Sequence, residues 1–92
     1  MEYGLKDLRT SLDNIDSAIV YLLAERFRLT HKVGVYKKQH HLKPVDSSRE
    51  AAQLERISEL AAKSGLDPAF ARKVLQLIID EVVEHHKKLI AS

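Results

Sequence analysis

An apolar seam at helical spacing runs along the first part of this chain without a proline. Its members recur every three, four or seven residues, and only Arg26 interrupts them. They are Leu5, Leu8, Leu12, Ile15, Ile19, Leu22, Leu29, Val33 and Tyr36. This periodicity predicts a single α-helix from about Leu5 to Gln39. Such a helix would be roughly 50 Å long, whereas a compact globule of this size is about 32 Å across. We therefore expect the helix to pack against a second copy of the chain in a homodimer.

The rest of the 92-residue chain also favours helices. At the end of the loop HHLKPVDS, Ser47 and Glu50 have the spacing of a capping box, in which Ser47 caps a second helix and Glu50 returns to the cap amide. Gly65 is placed to end that helix in the left-handed conformation, and Asp67 with Pro68 begins a third. We expect an all-α fold of three helices in a single domain, residues 1–92.

The second and third helices each carry one apolar face, on which residues recur at intervals of three or four. We expect these faces to form the core. The inward residues are Ala51, Leu54, Ile57, Leu60 and Ala61 on the second helix, and Ala71, Leu75, Ile78, Val82, His86 and Leu89 on the third.

Several classes of protein are excluded by what the sequence lacks. It has no cysteine, which rules out disulfides, cysteine-ligated zinc and thiol nucleophiles and leaves no need for an oxidising compartment. No stretch is long and apolar enough for a membrane helix, and the start MEYGLKDLRT lacks the apolar core of a signal peptide. Histidine pairs such as His85 and His86 are adjacent and do not have metal-ligand spacing. We expect a cytoplasmic protein with no metal, cofactor or membrane partner.

Positive charge is concentrated in one window, although the net charge of the chain is only +2. Between Arg26 and Val45 there is no Asp or Glu. The cations of the window are Arg26, Arg28, Lys32, Lys37, Lys38 and Lys43. Such a window suits an anionic ligand or a phosphate backbone, and it is equally compatible with a solvated basic face.

Arg26 stands out because it is a cation on the apolar seam, where desolvation without a partner costs several kcal/mol. It could meet an anionic ligand, pair with a buried carboxylate such as Asp46 or Glu50, or extend to the surface. Lys37 lies about three helical turns further on, so both cations can face one pocket. Arg9 is too far along the same helix to reach that pocket, but Arg9 of an antiparallel second copy could do so.

Three segments, LRTSLDNIDSAIVYLLAERFRLTHKVGVYK, PVDSSRE and LDPAFARKVLQLIIDEVV, together resemble the all-α chorismate mutase family. The resemblance extends from about Leu8 to Leu89. It implies an intertwined helical homodimer that rearranges chorismate to prephenate without nucleophile, metal or cofactor. The opening pattern is specific as a set, with Leu8-Arg9, Ile15-Asp16, Leu22 to Arg26, Val33-Gly34 and Lys37 in order.

The resemblance also implies roles for the cations. Arg26, and Arg9 from the other subunit, correspond to the arginines that bind the substrate's two carboxylates. Lys37 corresponds to the lysine that holds the ether oxygen and a carboxylate, and Arg49 to the arginine at the head of the second helix. Such a clamp would hold the dianion in its reactive shape, and a donor already in place at the ether oxygen lowers the barrier by roughly 3 to 4 kcal/mol.

The acidic and third-helix positions complete the implied site. Asp46 and Glu50 correspond to the acidic residues near the substrate's ring hydroxyl, with Glu50 favoured as the side-chain acceptor. This sequence departs from the family at two positions: His86 replaces a frequent Gln or Glu that faces the ether oxygen, and Val82 replaces a frequent small polar residue. His86 could donate a hydrogen bond as neutral imidazole or as imidazolium.

Other functions remain as alternatives. Isochorismate-pyruvate lyase shares the fold and a related cage of arginine and lysine. A non-enzymatic regulatory dimer or a nucleic-acid-binding dimer belongs to a different class, and the seam position of Arg26 argues against nucleic acid, which favours exposed cations. The sequence makes no prediction about an activating enzyme partner.

Overall fold

A computed structural model describes residues 4–92 of the chain. These residues form three α-helices and no β-strand, so the prediction of an all-α fold is confirmed. The helices are α1 (Leu5–Gln39), α2 (Ser47–Ser64) and α3 (Pro68–Ala91). Two compact units divide the chain, an amino-terminal unit that ends at Thr30 and a carboxy-terminal unit that runs from His31 to Ser92.

Helix α1 has the bounds that its apolar periodicity predicts. Its carboxyl end closes on His41, which adopts a positive φ of 56°, while the Leu42 amide donates to the Lys37 carbonyl at 2.8 Å. Every residue of the predicted apolar seam is exposed in the single chain, with exposed fractions from 47% at Val33 to 70% at Leu22. Exposed apolar surface of this kind is typical of an interaction site.

The start of α2 corrects the predicted capping box. The cap is Asp46, whose carboxylate oxygen Oδ1 accepts hydrogen bonds from the Arg49 amide at 3.1 Å and from Ser48 Oγ at 3.0 Å. Ser47 is therefore the first helical residue, and its prediction as the cap was wrong. Glu50 consequently lies one position too far into the helix for the box, because the reciprocal contact needs the third residue after the cap.

The connection between α2 and α3 follows the predicted signals. Gly65 ends α2 with a φ of 76°, and the Leu66 amide donates to the Ala61 carbonyl at 2.9 Å. Asp67 caps α3 by accepting from the Ala69 amide at 3.0 Å, with Pro68 in the first turn. Both predictions are confirmed, and the local chemistry of glycine, aspartate and proline is sufficient to explain them.

The core of the carboxy-terminal unit lies where α2 packs against α3. Its buried residues are Gly34, Ala61, Leu75, Ile79 and His86. Every residue of the predicted α3 face is buried or half-buried. The prediction did not include Ile79, which is only 4% exposed.

The predicted face of α2 was too broad. Ala51 and Leu60 are exposed, whereas Leu54 and Ile57 are half-buried. Ser58 takes part in the contact through its hydroxyl, which accepts a hydrogen bond from Arg72 at 3.0 Å. A hydroxyl at a helix contact is invisible to a pattern that counts apolar residues only.

Across residues 4–92, no helix is long and apolar enough to cross a membrane. The same part of the chain contains no cluster of three or more histidine, aspartate or glutamate side chains that could hold a metal ion.

Candidate active site

Lys37 lies near the carboxyl end of α1, where its ammonium group contacts two other parts of the carboxy-terminal unit. Nζ donates to the carbonyl oxygen of Pro44 at 3.0 Å, in the loop that leads to α2. Nζ also lies 3.5 Å from Nδ1 of His86 on α3. Because a lysine ammonium has three donors, these two contacts fix its position and leave a third N–H for a ligand.

His86 is buried in α3 with 3% of its surface exposed, which confirms its predicted inward position. Lysine has only donors, so in this contact Nδ1 acts as the acceptor and the ring proton belongs on Nε2. The ring edge that carries Cδ2 and Nε2 lies against Gly34 of α1. Val82, one turn earlier on α3, is half-buried.

Asp46 is exposed, and its carboxylate is engaged by the amino end of α2. The backbone hydrogen bond from Arg49 lowers the pKa of Asp46 most, followed by the hydrogen bond from Ser48, while the charge of Lys37 contributes less. The carboxylate therefore stays ionised close to Lys37. Arg49 is exposed at the same helix end.

Glu50 is half-buried in the first turn of α2. Its carboxylate oxygen Oε2 is buried and accepts no hydrogen bond from residues 4–92. A buried carboxylate oxygen without a donor is unfavourable by about 1 to 3 kcal/mol. A ligand hydroxyl or amine would supply the missing donor, so Glu50 has the properties of a ligand acceptor.

The two predicted carboxylate-binding arginines belong to the amino-terminal unit. Arg9 is exposed and Arg26 is half-buried. Within residues 4–30 no ion pair joins either guanidinium to an acidic side chain, whereas the neighbouring Arg28 pairs with Glu25 at 2.9 Å. The structure thus places Lys37 beside His86, with Asp46 near enough for the charge of Lys37 to lower its pKa.

Two contributors to this arrangement were not predicted from the sequence. Pro44 provides its carbonyl oxygen, which no side-chain pattern can reveal. Gly34 provides space for His86, and here a signal existed, because an isolated glycine inside a long helical pattern often marks a close packing contact.

Comparison with known proteins identifies the family. The model of chorismate mutase type II matches residues 8–87 of this chain. The chain belongs to the type II chorismate mutase family. This membership confirms the resemblance found in the sequence.

The relatives of this chain differ in length. A bifunctional chorismate mutase/prephenate dehydratase from Buchnera aphidicola subsp. Schizaphis graminum is 35% identical over 94% of this chain, which spans 22% of that protein. A chorismate mutase from Methanocaldococcus jannaschii is 33% identical over 92% of the chain and 82% of its own length. A 4-amino-4-deoxychorismate mutase from Streptomyces pristinaespiralis is 32% identical over 96% of the chain and 68% of its own length. The chain thus spans about a fifth of the bifunctional protein.

Proposed function

We propose that this chain rearranges chorismate to prephenate, with no covalent intermediate. The observation that carries the proposal is the ammonium group of Lys37, which Pro44 and His86 hold while one donor remains for a ligand. As the ether C–O bond breaks and the new C–C bond forms, negative charge grows on the ether oxygen. A donor already held in position stabilises that charge without reorganisation.

Each remaining residue has a role in binding the dianion. Arg26, and Arg9 of a second copy, clamp the two carboxylates, and Arg49 adds positive charge at the head of α2. Bidentate guanidinium contacts favour the folded conformer in which the reacting carbons are close. The roles of these arginines rest on the family resemblance and on the absence of an acidic partner within the described amino-terminal unit.

The acids and the α3 residues complete the proposed pocket. Glu50 accepts a hydrogen bond from the ring hydroxyl, which would satisfy its buried Oε2. Asp46 lies at the same helix end, and Val82 contributes an apolar wall. His86 is the proposed hydrogen-bond donor near the ether oxygen, beside Lys37.

We also propose that the active unit is a homodimer in which α1 packs against α1 of the second copy. The exposed seam supports this, because it presents a continuous row of large apolar side chains on a helix that also carries Arg9 and Arg26. A cytoplasmic location, a single domain over residues 1–92 and independence from nucleic acid and membranes stay predictions from the sequence.

A substrate panel tests the proposed reaction. The purified chain is offered chorismate, isochorismate and 4-amino-4-deoxychorismate separately, and the products are separated by chromatography. We expect prephenate from chorismate as the fastest reaction. The 4-amino compound is included because a relative carries that activity in its name, and Glu50 could accept from an amine as well as from a hydroxyl.

Each of the other outcomes of the substrate panel would indicate a different function. Faster turnover of the 4-amino compound would change the substrate but keep the pericyclic mechanism. Salicylate and pyruvate from isochorismate would identify the lyase. No turnover of any of the three, with salt-sensitive retention of DNA or RNA, would favour the nucleic-acid-binding alternative.

A further inference from the structure

Gly34 is a buried glycine in the interior of α1. Glycine disfavours a helix interior relative to alanine, because it loses more backbone freedom on folding. The backbone here is ordinary right-handed helix, so the conformational freedom of glycine is not needed. The reason for a glycine must therefore lie in what the missing side chain would touch.

The neighbour of Gly34 is the imidazole ring of His86. A Cβ atom added at Gly34 would lie 2.8 Å from Cδ2 and 3.1 Å from Nε2 of that ring, and 3.0 Å from a methyl carbon of Leu89. The Leu89 methyl group is the end of a flexible side chain and can rotate away. The ring is a rigid plane in a buried position, so it would have to tilt or shift as a whole.

A displaced ring would lose its contact with Lys37. The edge of the ring that faces Gly34 carries Cδ2 and Nε2, while Nδ1 lies 3.5 Å from the Lys37 ammonium. Gly34 and Lys37 are three residues apart on α1, so they lie on the same side of the helix. One ring thus spans both residues, and a change at Gly34 must alter the ring's position at Lys37.

We propose that Gly34 is a positioning residue for the reaction, acting through His86. Its missing side chain lets the ring edge that carries Cδ2 and Nε2 approach α1 closely, and this holds Nδ1 at Lys37. The catalytic consequence rests on the proposed chorismate mutase activity. The effect of Gly34 on the position of the His86 ring does not depend on that activity. The effects on ring position and on catalysis can therefore be measured separately.

The packing consequence is tested by Gly34→Ala with the side-chain nitrogens of His86 observed by NMR. We expect the His86 nitrogen signals to shift clearly from those of the wild-type protein. Gly4→Ala is the matched control, because a Cβ at Gly4 would meet only a carboxylate oxygen of Asp7 at 3.5 Å, an ordinary contact. Unchanged His86 signals in a folded Gly34→Ala protein would overturn the proposal, whether or not the chain converts chorismate.

The catalytic consequence is tested by a double-mutant cycle on kcat/KM for chorismate, with Gly34→Ala, His86→Ala and the double variant. We expect Gly34→Ala to reduce kcat/KM at least tenfold in the presence of His86 and to change it less than twofold in the His86→Ala background. Losses that multiply would show that Gly34 acts independently of His86 and would contradict the proposal.

Circular dichroism accompanies every variant, so that loss of folding is recognised. If Gly34→Ala alone fails to fold, the double variant should fold, because removal of the ring makes room for the methyl group. A double variant that also fails to fold would place the conflict elsewhere and overturn the proposal. A wild-type chain without chorismate turnover would refute the proposed function and leave the NMR result to decide the packing.

Discussion

At the scale of single residues, Lys37 has the most definite chemical position. Its ammonium is held by the Pro44 carbonyl and lies beside the His86 ring, so it is oriented before any ligand arrives. A cation oriented in this way stabilises charge that develops during the reaction better than one that must reorganise. The neighbouring Lys38 instead donates to the backbone carbonyl of Ser92 at 2.7 Å and is exposed. The two lysines therefore form a matched pair for mutation.

We expect Lys37→Ala to lower kcat/KM for chorismate by about 100- to 1000-fold, the usual effect of removing one preorganised donor. Lys38→Ala, which removes the same charge next to it, should stay within about twofold of wild type, because exposed charges act weakly on a distant site. Initial rates of prephenate formation measure both. Equal losses in the two variants would mean that only the net charge of the helix end matters.

Asp46 makes the stability of the fold depend on pH through its carboxylate at the amino end of α2. The Arg49 amide, and next the Ser48 hydroxyl, lower its pKa below the ordinary value of 3.8. Because the folded-state pKa is the lower one, the carboxylate stabilises the fold above pH 3.8, and this contribution disappears as the pH falls through the folded-state pKa.

Thermal unfolding of Asp46→Asn therefore depends on pH in a defined way. At neutral pH the variant should melt below wild type but above Asp46→Ala, because asparagine also caps helices. Below pH 3.8 the difference between wild type and Asp46→Asn should shrink. Asp13→Asn, which changes an exposed carboxylate within α1, provides the control. A difference in Tm that stays constant across this pH range would exclude the proposed linkage.

At the scale of helices, the sequence explains where α1 begins and ends, but contacts within a single chain do not explain its apolar seam. Apolar periodicity predicted both of its ends correctly because periodicity is a local property of the chain. The same residues remain exposed, so the seam predicts an interface that a single copy does not contain.

The start of α2 could not be predicted from local residue types alone. Asp46 and Ser47 are both acceptable cap residues, and the backbone geometry makes Asp46 the cap.

The candidate site was predictable only in part, for a physical reason. Residue types and spacing indicated Lys37 and the inward position of His86. The contacts that give these residues their geometry join segments far apart in the chain, as Gly34 with His86 and Lys37 with His86. Such contacts depend on how the helices and loops pack, and a single sequence does not show how close two distant segments come in the folded protein.

The exposed seam on α1 leads to a prediction about assembly. Ile15→Glu should weaken the dimer at least about 100-fold, because a carboxylate in an apolar interface costs roughly 3 kcal/mol or more. Asn14→Glu places the same charge at the neighbouring exposed position and should leave assembly unchanged. Sedimentation equilibrium over a range of concentrations distinguishes the two. A dimer of undiminished affinity in Ile15→Glu would show that α1 is not the interface.

At the scale of the whole molecule, the proposed active site is a property of two chains. In this proposal Arg26 binds substrate in the site of its own chain, and Arg9 binds substrate in the site of the second copy. Because a twofold dimer has two equivalent sites, each chain donates to one site and completes the other. Substitution of either arginine should therefore inactivate both sites of a uniform dimer, although the two residues are on the same helix.

Mixing inactive Arg9→Ala and Arg26→Ala chains tests this arrangement most directly. After exchange of subunits, half of the dimers are mixed, and each mixed dimer has one site with both arginines and one with neither. We expect the mixture to recover about a quarter of the wild-type rate of prephenate formation from chorismate, while each variant alone stays inactive. A mixture that remains as inactive as its parts, although mass spectrometry detects mixed dimers, would contradict the shared site.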